Sequence, residues 1–274
     1  MYQRNLGDGG VNPWIYGDSL HIAQLIEPWQ AVTMSRIGRI VVPGLPHHVT
    51  QRGNRRQPIF FEAGDHAVYR NLLAARCRTA SVEVWAYCLM PDHVHLILVP
   101  RTADGLARAI GETHRQYAAF INARAHWTGH LFQGRFSSVA LDEEHLLAAA
   151  RYVALNPVRA RLVAHAKDWP WSSVRAHLDG RDDELVRVAP LLERVGRFTD
   201  LIVPGSEPEI FAALRAAETI GRPLGSDTFL ARLERRLGRR VRPRKPGRKP
   251  RTDADETRPH RGATRGAAAG KQLR

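Results

Sequence analysis

A chain of 274 residues, 43% of them hydrophobic, has enough apolar material for one good core and for extensions beyond it. No run approaches the roughly eighteen uninterrupted apolar residues of a membrane span, no basic stretch leads into an apolar one as a secretion signal requires, and Cys77 and Cys88 are too few for a disulfide framework and lack zinc-site spacing, so a cytoplasmic protein with reduced, buried thiols is expected. The net charge of +14 points to a polyanionic partner, and it is concentrated at one end: residues 239–274 carry 13 Lys/Arg against 3 Asp/Glu, residues 1–33 only 1 against 3.

Residues 1–33 show no sustained period and are expected to form a leader outside the core, with a different kind of sequence opening at Met34. From Ile40 an apolar run through Val49 and Thr50 predicts a strand. A helix over about 65–79 follows, with Val68, Leu72, Leu73 and Ala75 inward. Val82 to Leu89 is β-branched and aromatic, Pro91-Asp92 marks a turn, and His93 to Val99 resumes strand chemistry, which predicts a hairpin. A second helix is expected over about 103–125, a short strand over 132–141, and a third helix capped by Asp142 that includes Leu146, Leu147 and Val153.

The order βαββαβ followed by a helix predicts an α+β fold, a ferredoxin-like antiparallel sheet with helices on one face. Trp169-Pro170-Trp171 closes this domain, which spans residues 34–178. Residues 185–238 read as a small helical extension, clearest over 226–237, where Phe229, Leu230, Leu233 and Leu237 share a face. Basic residues alternate with Pro and Gly from 239 to 274, as in a disordered tail that grips phosphates.

His93-Val94-His95 lies on a predicted strand, so a period of two puts both imidazoles on one side. Such a pair can serve as metal ligands or as two half-exposed rings at a sheet end, and spacing alone leaves both readings open. Tyr152 and Asn156 are one helical turn apart, and Pro157 predicts that the helix ends near Asn156. Arg52, Arg55, Arg56 and Arg135 are candidate phosphate contacts, with Phe136 or Trp127 as stacking platforms.

Four segments in order resemble the IS200-like single-tyrosine (HUH) transposase family, in its branch associated with repetitive extragenic palindromes: Pro43 to Asn54, Met90 to Leu96, Gly129 to Phe136, and Tyr152 to Arg159. The resemblance implies a ferredoxin-like fold, Mg2+ or Mn2+ held by His93 and His95, Tyr152 as nucleophile and Asn156 as third ligand. It also implies cleavage and rejoining of single-stranded or hairpin DNA through a 5′-phosphotyrosine, by a monomer or a homodimer. Insertion-sequence members have glutamine where Asn156 stands, one methylene longer. Tyr117, also on a helix but with Ile121 rather than an amide four residues on, is the alternative nucleophile. Two other readings remain: a ferredoxin-like nucleic-acid binder without chemistry, and a two-histidine phosphoesterase, for which His48-Val49-Thr50 supplies one motif but His93-Val94-His95 does not supply the other.

Overall fold

The computed structural model describes residues 38–203 and 209–242, so the expectations for residues 1–33 and for the tail beyond Arg242 lie outside the described residues. Four strands, β1 (His47–Arg52), β2 (Val82–Met90), β3 (His93–Pro100) and β4 (Ser137–Ala140), form one antiparallel sheet in the order β2-β3-β1-β4. Helix α1 (Asp65–Thr79) joins β1 to β2, and α2 (Gly105–Ala125) joins β3 to β4. This is the ferredoxin-like arrangement that the element order predicts.

Some boundaries differ, for local reasons. The first strand starts at His47 rather than near Ile40, because Pro43-Gly44 turns the chain with Gly44 at φ 78°. β4 shrinks to four residues: Gly129 and Gly134 both take positive φ, and Phe132 makes only an isolated bridge to Gly53. Helix α3 runs Glu143–Arg159, past the end that Pro157 predicts. Pro157 lacks an N–H, yet Tyr152, Val153, Asn156 and Pro157 are all buried, and Ala160 and Leu162 donate to the carbonyls of Asn156 and Pro157 at 2.9 Å, which keeps the last turn closed. Asn156 is therefore inside the helix, not at its end.

Helices cover both faces of the sheet, not one. Val49, Leu96 and Leu98 pack with Leu73, Ile110 and Tyr117 beneath α1 and α2. Ile97, Val99 and Val139 pack with Leu146, Val153 and Phe211 beneath α3 and the later helix α7 (Glu209–Ile220). Residues 96–99 are consequently apolar at every position, with no polar face to expose. Asp142 starts α3 by accepting from His145 N–H at 3.1 Å, as expected of a cap. The short helices α4 (Val174–Asp179), α5 (Ala189–Val195) and α6 (Phe198–Leu201) lead to α7. Helix α8 (Asp227–Leu237) buries Phe229 and Leu233 against Ile40, Val42 and Ala140. Cys77 and Cys88 are free and buried.

Candidate active site

Antiparallel register decides which side chains share a face. Thr50 pairs with His95, Arg52 with His93 and His48 with Ile97, so these residues all project from the face that α3 covers. Tyr152, buried on α3, stands edge-on to His95 and to His48, with ring centroids 5.4 and 6.0 Å apart. A cavity of about 340 Å³ opens here, and His93, His95, Tyr152, Arg52, Arg135 and Glu218 are among its lining residues. The predicted strand pair and the predicted helix tyrosine thus reach one hollow from two elements.

The remaining expected residues are placed differently. Asn156 is buried one turn beyond Tyr152 but does not line the cavity, and its Nδ2 has no hydrogen-bond partner among the described residues. Arg55 and Arg56 are exposed on the turn after β1, both at positive φ. Tyr117 lies on the opposite face, fully buried, its hydroxyl donating to the Ile59 carbonyl at 2.7 Å. Burial pushes the Tyr117 phenol well above its ordinary range, with Asp65 adding to the shift. Phe136 is not a free stacking platform: it is buried, and the Arg39 guanidinium sits 3.6 Å from its ring centroid. Trp127 is exposed, edge-on to Phe61.

Three residues at the site were not anticipated there. His48 is buried behind His95, its Nε2 3.0 Å from His95 Nδ1. Glu218 and Arg215 come from α7. Phe211, Leu214 and Glu218 follow helical spacing, so Glu218 occupies a stripe position that is otherwise apolar, and a carboxylate on such a stripe is the signal that would have found it. Ser137 Oγ donates to the Glu218 carbonyl, tying the end of α7 to β4.

Electrostatics suit neutral imidazoles amid positive charge. Burial lowers His48 to about 4 and His95 well below its usual value, the latter also depressed by His93, His48, Arg52 and Arg159. Both rings are therefore neutral near pH 7 and keep a lone pair. Asp92 accepts from His93 Nδ1 at 2.5 Å, and that hydrogen bond holds the Asp92 carboxyl below its ordinary value. Burial pushes Glu218 up to about 7, against the opposing pull of Arg52, Arg215 and Arg159. With Nδ1 engaged on both His93 and His95, each ring has Nε2 left to offer a cation, the ligand chemistry of a histidine pair.

Residues 41–156 match the family described as Transposase IS200 like. This segment is an IS200-like transposase domain. It runs from the approach to β1 to Asn156 on α3, and therefore contains His93, His95 and Tyr152 but not Glu218. A Haemophilus influenzae protein named as a REP-associated tyrosine transposase is 28% identical over 116 residues; the match spans 38% of this chain and 66% of that relative, just under two thirds of its length. Two solved structures are also similar. One, a REP-associated tyrosine transposase bound to a REP hairpin, has a TM-score of 0.47 and 20% identity over 64% of this chain and 96% of the other. The second, described as a transposase from Deinococcus radiodurans R1, has a TM-score of 0.31 and 22% identity over 46% and 90% of the two chains. The fold of the IS200-like domain itself rests on its strand order and register. No helix among the described residues is long and apolar enough to cross a membrane.

Proposed function

We propose that the chain cuts and rejoins single-stranded or hairpin DNA, with Tyr152 as the nucleophile. The observation that carries this reading is the convergence of Tyr152, His93 and His95 on one cavity bordered by Arg52 and Arg135, inside an IS200-like domain. The hairpin substrate is supported by the relative named as a REP-associated tyrosine transposase.

In the proposed step the Tyr152 hydroxyl oxygen attacks a phosphodiester phosphorus. The bond from phosphorus to the 3′ oxygen breaks, that oxygen leaves as a 3′-hydroxyl after taking up a proton, and the phenol proton is lost. The 5′-phosphotyrosine so formed keeps the phosphodiester's energy, and the 3′-hydroxyl of another strand reverses the step without ATP. Arg52 and Arg135 hold the flanking phosphates and fix the register of the strand.

His93 and His95 fit a divalent cation: both lie on one face, both line the cavity, and both have Nδ1 occupied elsewhere. Mg2+ or Mn2+ bound there would polarise a non-bridging phosphate oxygen. Asn156 serves as a third ligand, through Oδ1, only if its side chain reaches the cavity.

The test is incubation with labelled single-stranded palindromic oligonucleotides and Mg2+ or Mn2+, with any covalent adduct mapped by mass spectrometry. An adduct on Tyr152 is expected. Binding without any adduct would replace this reading with that of a nucleic-acid binder.

A further inference from the structure

Of the two histidines proposed to hold the cation, each has a different group behind it. His93 Nδ1 faces the Asp92 carboxylate, which can only accept, so His93 carries its hydrogen on Nδ1. His95 Nδ1 instead faces another imidazole, His48 Nε2, at 3.0 Å, and two ring nitrogens can share that hydrogen either way. What fixes the direction must lie beyond His48.

Glu218 lies there. Its Oε1 is 3.7 Å from His48 Nδ1 and 4.0 Å from His95 Nδ1; the Oε1 and His48 Nδ1 are both shut off from water with no hydrogen-bond partner among the described residues, whereas His95 Nδ1 is already bonded to His48. A buried donor and a buried acceptor left unmade are each costly, and each is the complementary group facing the other. Ionised, Glu218 can only accept, which requires the hydrogen on His48 Nδ1. His48 Nε2 is then a lone pair, His95 must carry its hydrogen on Nδ1, and His95 Nε2 is left as the lone pair for a cation.

The trio His48, His95 and Glu218 has donor atoms within 4.8 Å of one another, close enough to be taken for a metal site in its own right. Two observations set His48 behind the site instead, although His95 and Glu218 line the cavity: His48 does not line it, and His95 Nδ1 is already bonded to His48.

We infer that His48 and Glu218 are positioning residues, a relay running from a carboxylate on α7 through His48 that sets the tautomer of His95. The inference rests on the proposed metal role of His95. It extends the site beyond the IS200-like segment, because Glu218 lies outside residues 41–156.

The tautomers are read by long-range proton–nitrogen NMR on the full-length, metal-free, nitrogen-15-labelled protein. Hydrogens on Nδ1 of both His48 and His95 are expected, and a hydrogen on Nε2 of His95 overturns the relay. Mn2+ affinity, followed by the paramagnetic resonance of free Mn2+, gives a second readout. Glu218→Leu should weaken binding by about 10–100-fold, as loss of an outer partner typically does, while Glu218→Gln, which keeps an amide oxygen facing His48, should bind like wild type. His48→Leu should match Glu218→Leu; should it fail to fold, the Glu218 pair decides alone. Equal loss in Glu218→Gln and Glu218→Leu overturns the relay in favour of a direct role for the charge. If wild-type protein binds no Mn2+, the metal reading itself falls, whereas the tautomer still decides the relay.

Discussion

The two faces of the sheet treat a tyrosine in opposite ways. Beneath α1 and α2, Tyr117 is enclosed by Phe60, Tyr69 and Phe132, and its hydroxyl is used up on the Ile59 carbonyl. Beneath α3 and α7, Tyr152 borders a cavity shared with two histidines and several arginines. Both residues are buried on helices, so burial and helical position do not separate a structural tyrosine from a reactive one. The neighbours do: apolar rings and a satisfied hydroxyl on one side, groups suited to a cation and to phosphate on the other.

Removing one hydroxyl at a time tests that contrast most severely. Tyr152→Phe should abolish the covalent adduct with single-stranded DNA while leaving the fold intact. Tyr117→Phe should keep the adduct but lower stability by roughly 1–3 kcal/mol, because the buried Ile59 carbonyl is deprived of its donor. Mass spectrometry and denaturant unfolding read the two effects, and the reverse pattern would exchange their roles.

The next effect concerns pH and the structural histidines away from the cavity. Burial lowers His47 to about 4 and His114 to about 3 from 6.5, with backbone hydrogen bonds partly opposing the shift at His47. His47 Nε2 accepts from Val42 N–H, a bond that a protonated ring cannot make. The unfolded chain binds the extra proton first, so stability is full above about pH 6.5 and is lost as pH falls towards 4 and then 3, by on the order of a few kcal/mol per residue. Glu218, raised to about 7, works the other way between 4.5 and 7. Thermal unfolding between pH 7.5 and 5 should show falling stability, less steep in His114→Gln; a flat profile would contradict the burial of these rings.

The smallest effect should come from the exposed turn after β1. Arg55→Ala or Arg56→Ala should weaken binding to all single strands alike and reduce the slope of log affinity against log salt by roughly 0.7 for each phosphate that is no longer neutralised. An unchanged slope would leave those exposed side chains without a DNA role.

Much of this contrast was legible in the sequence. The strand period brought His93 and His95 together, and the Asp142 cap placed Tyr152 on a helix of known start. Two things were not legible. Pro157 reads as a helix stop, but a single missing donor does not outweigh the burial of the last turn, so the environment expected for Asn156 was wrong. His48 meets His95 through the pairing of β1 with β3, and Glu218 meets both only through tertiary packing of α7 on α3 and β4. No local pattern pairs residues so distant in the chain, although a lone carboxylate on the apolar stripe of α7 hints that something polar faces it.

Asp142 has a consequence for how separable these parts are. Its Oδ1 accepts from His145 at the start of α3, and its Oδ2 accepts from Ser226 N–H at 2.7 Å, next to the start of α8. Gly225 is pressed so close that an added Cβ would lie 2.8 Å from that same Oδ2. One carboxylate thus fastens the helix carrying Tyr152 to a segment made much later in synthesis. A ribosome finishes the IS200-like domain long before the clasp and the α7 carboxylate exist, so a prematurely terminated chain would carry the tyrosine and both cavity histidines without the parts that hold them in register.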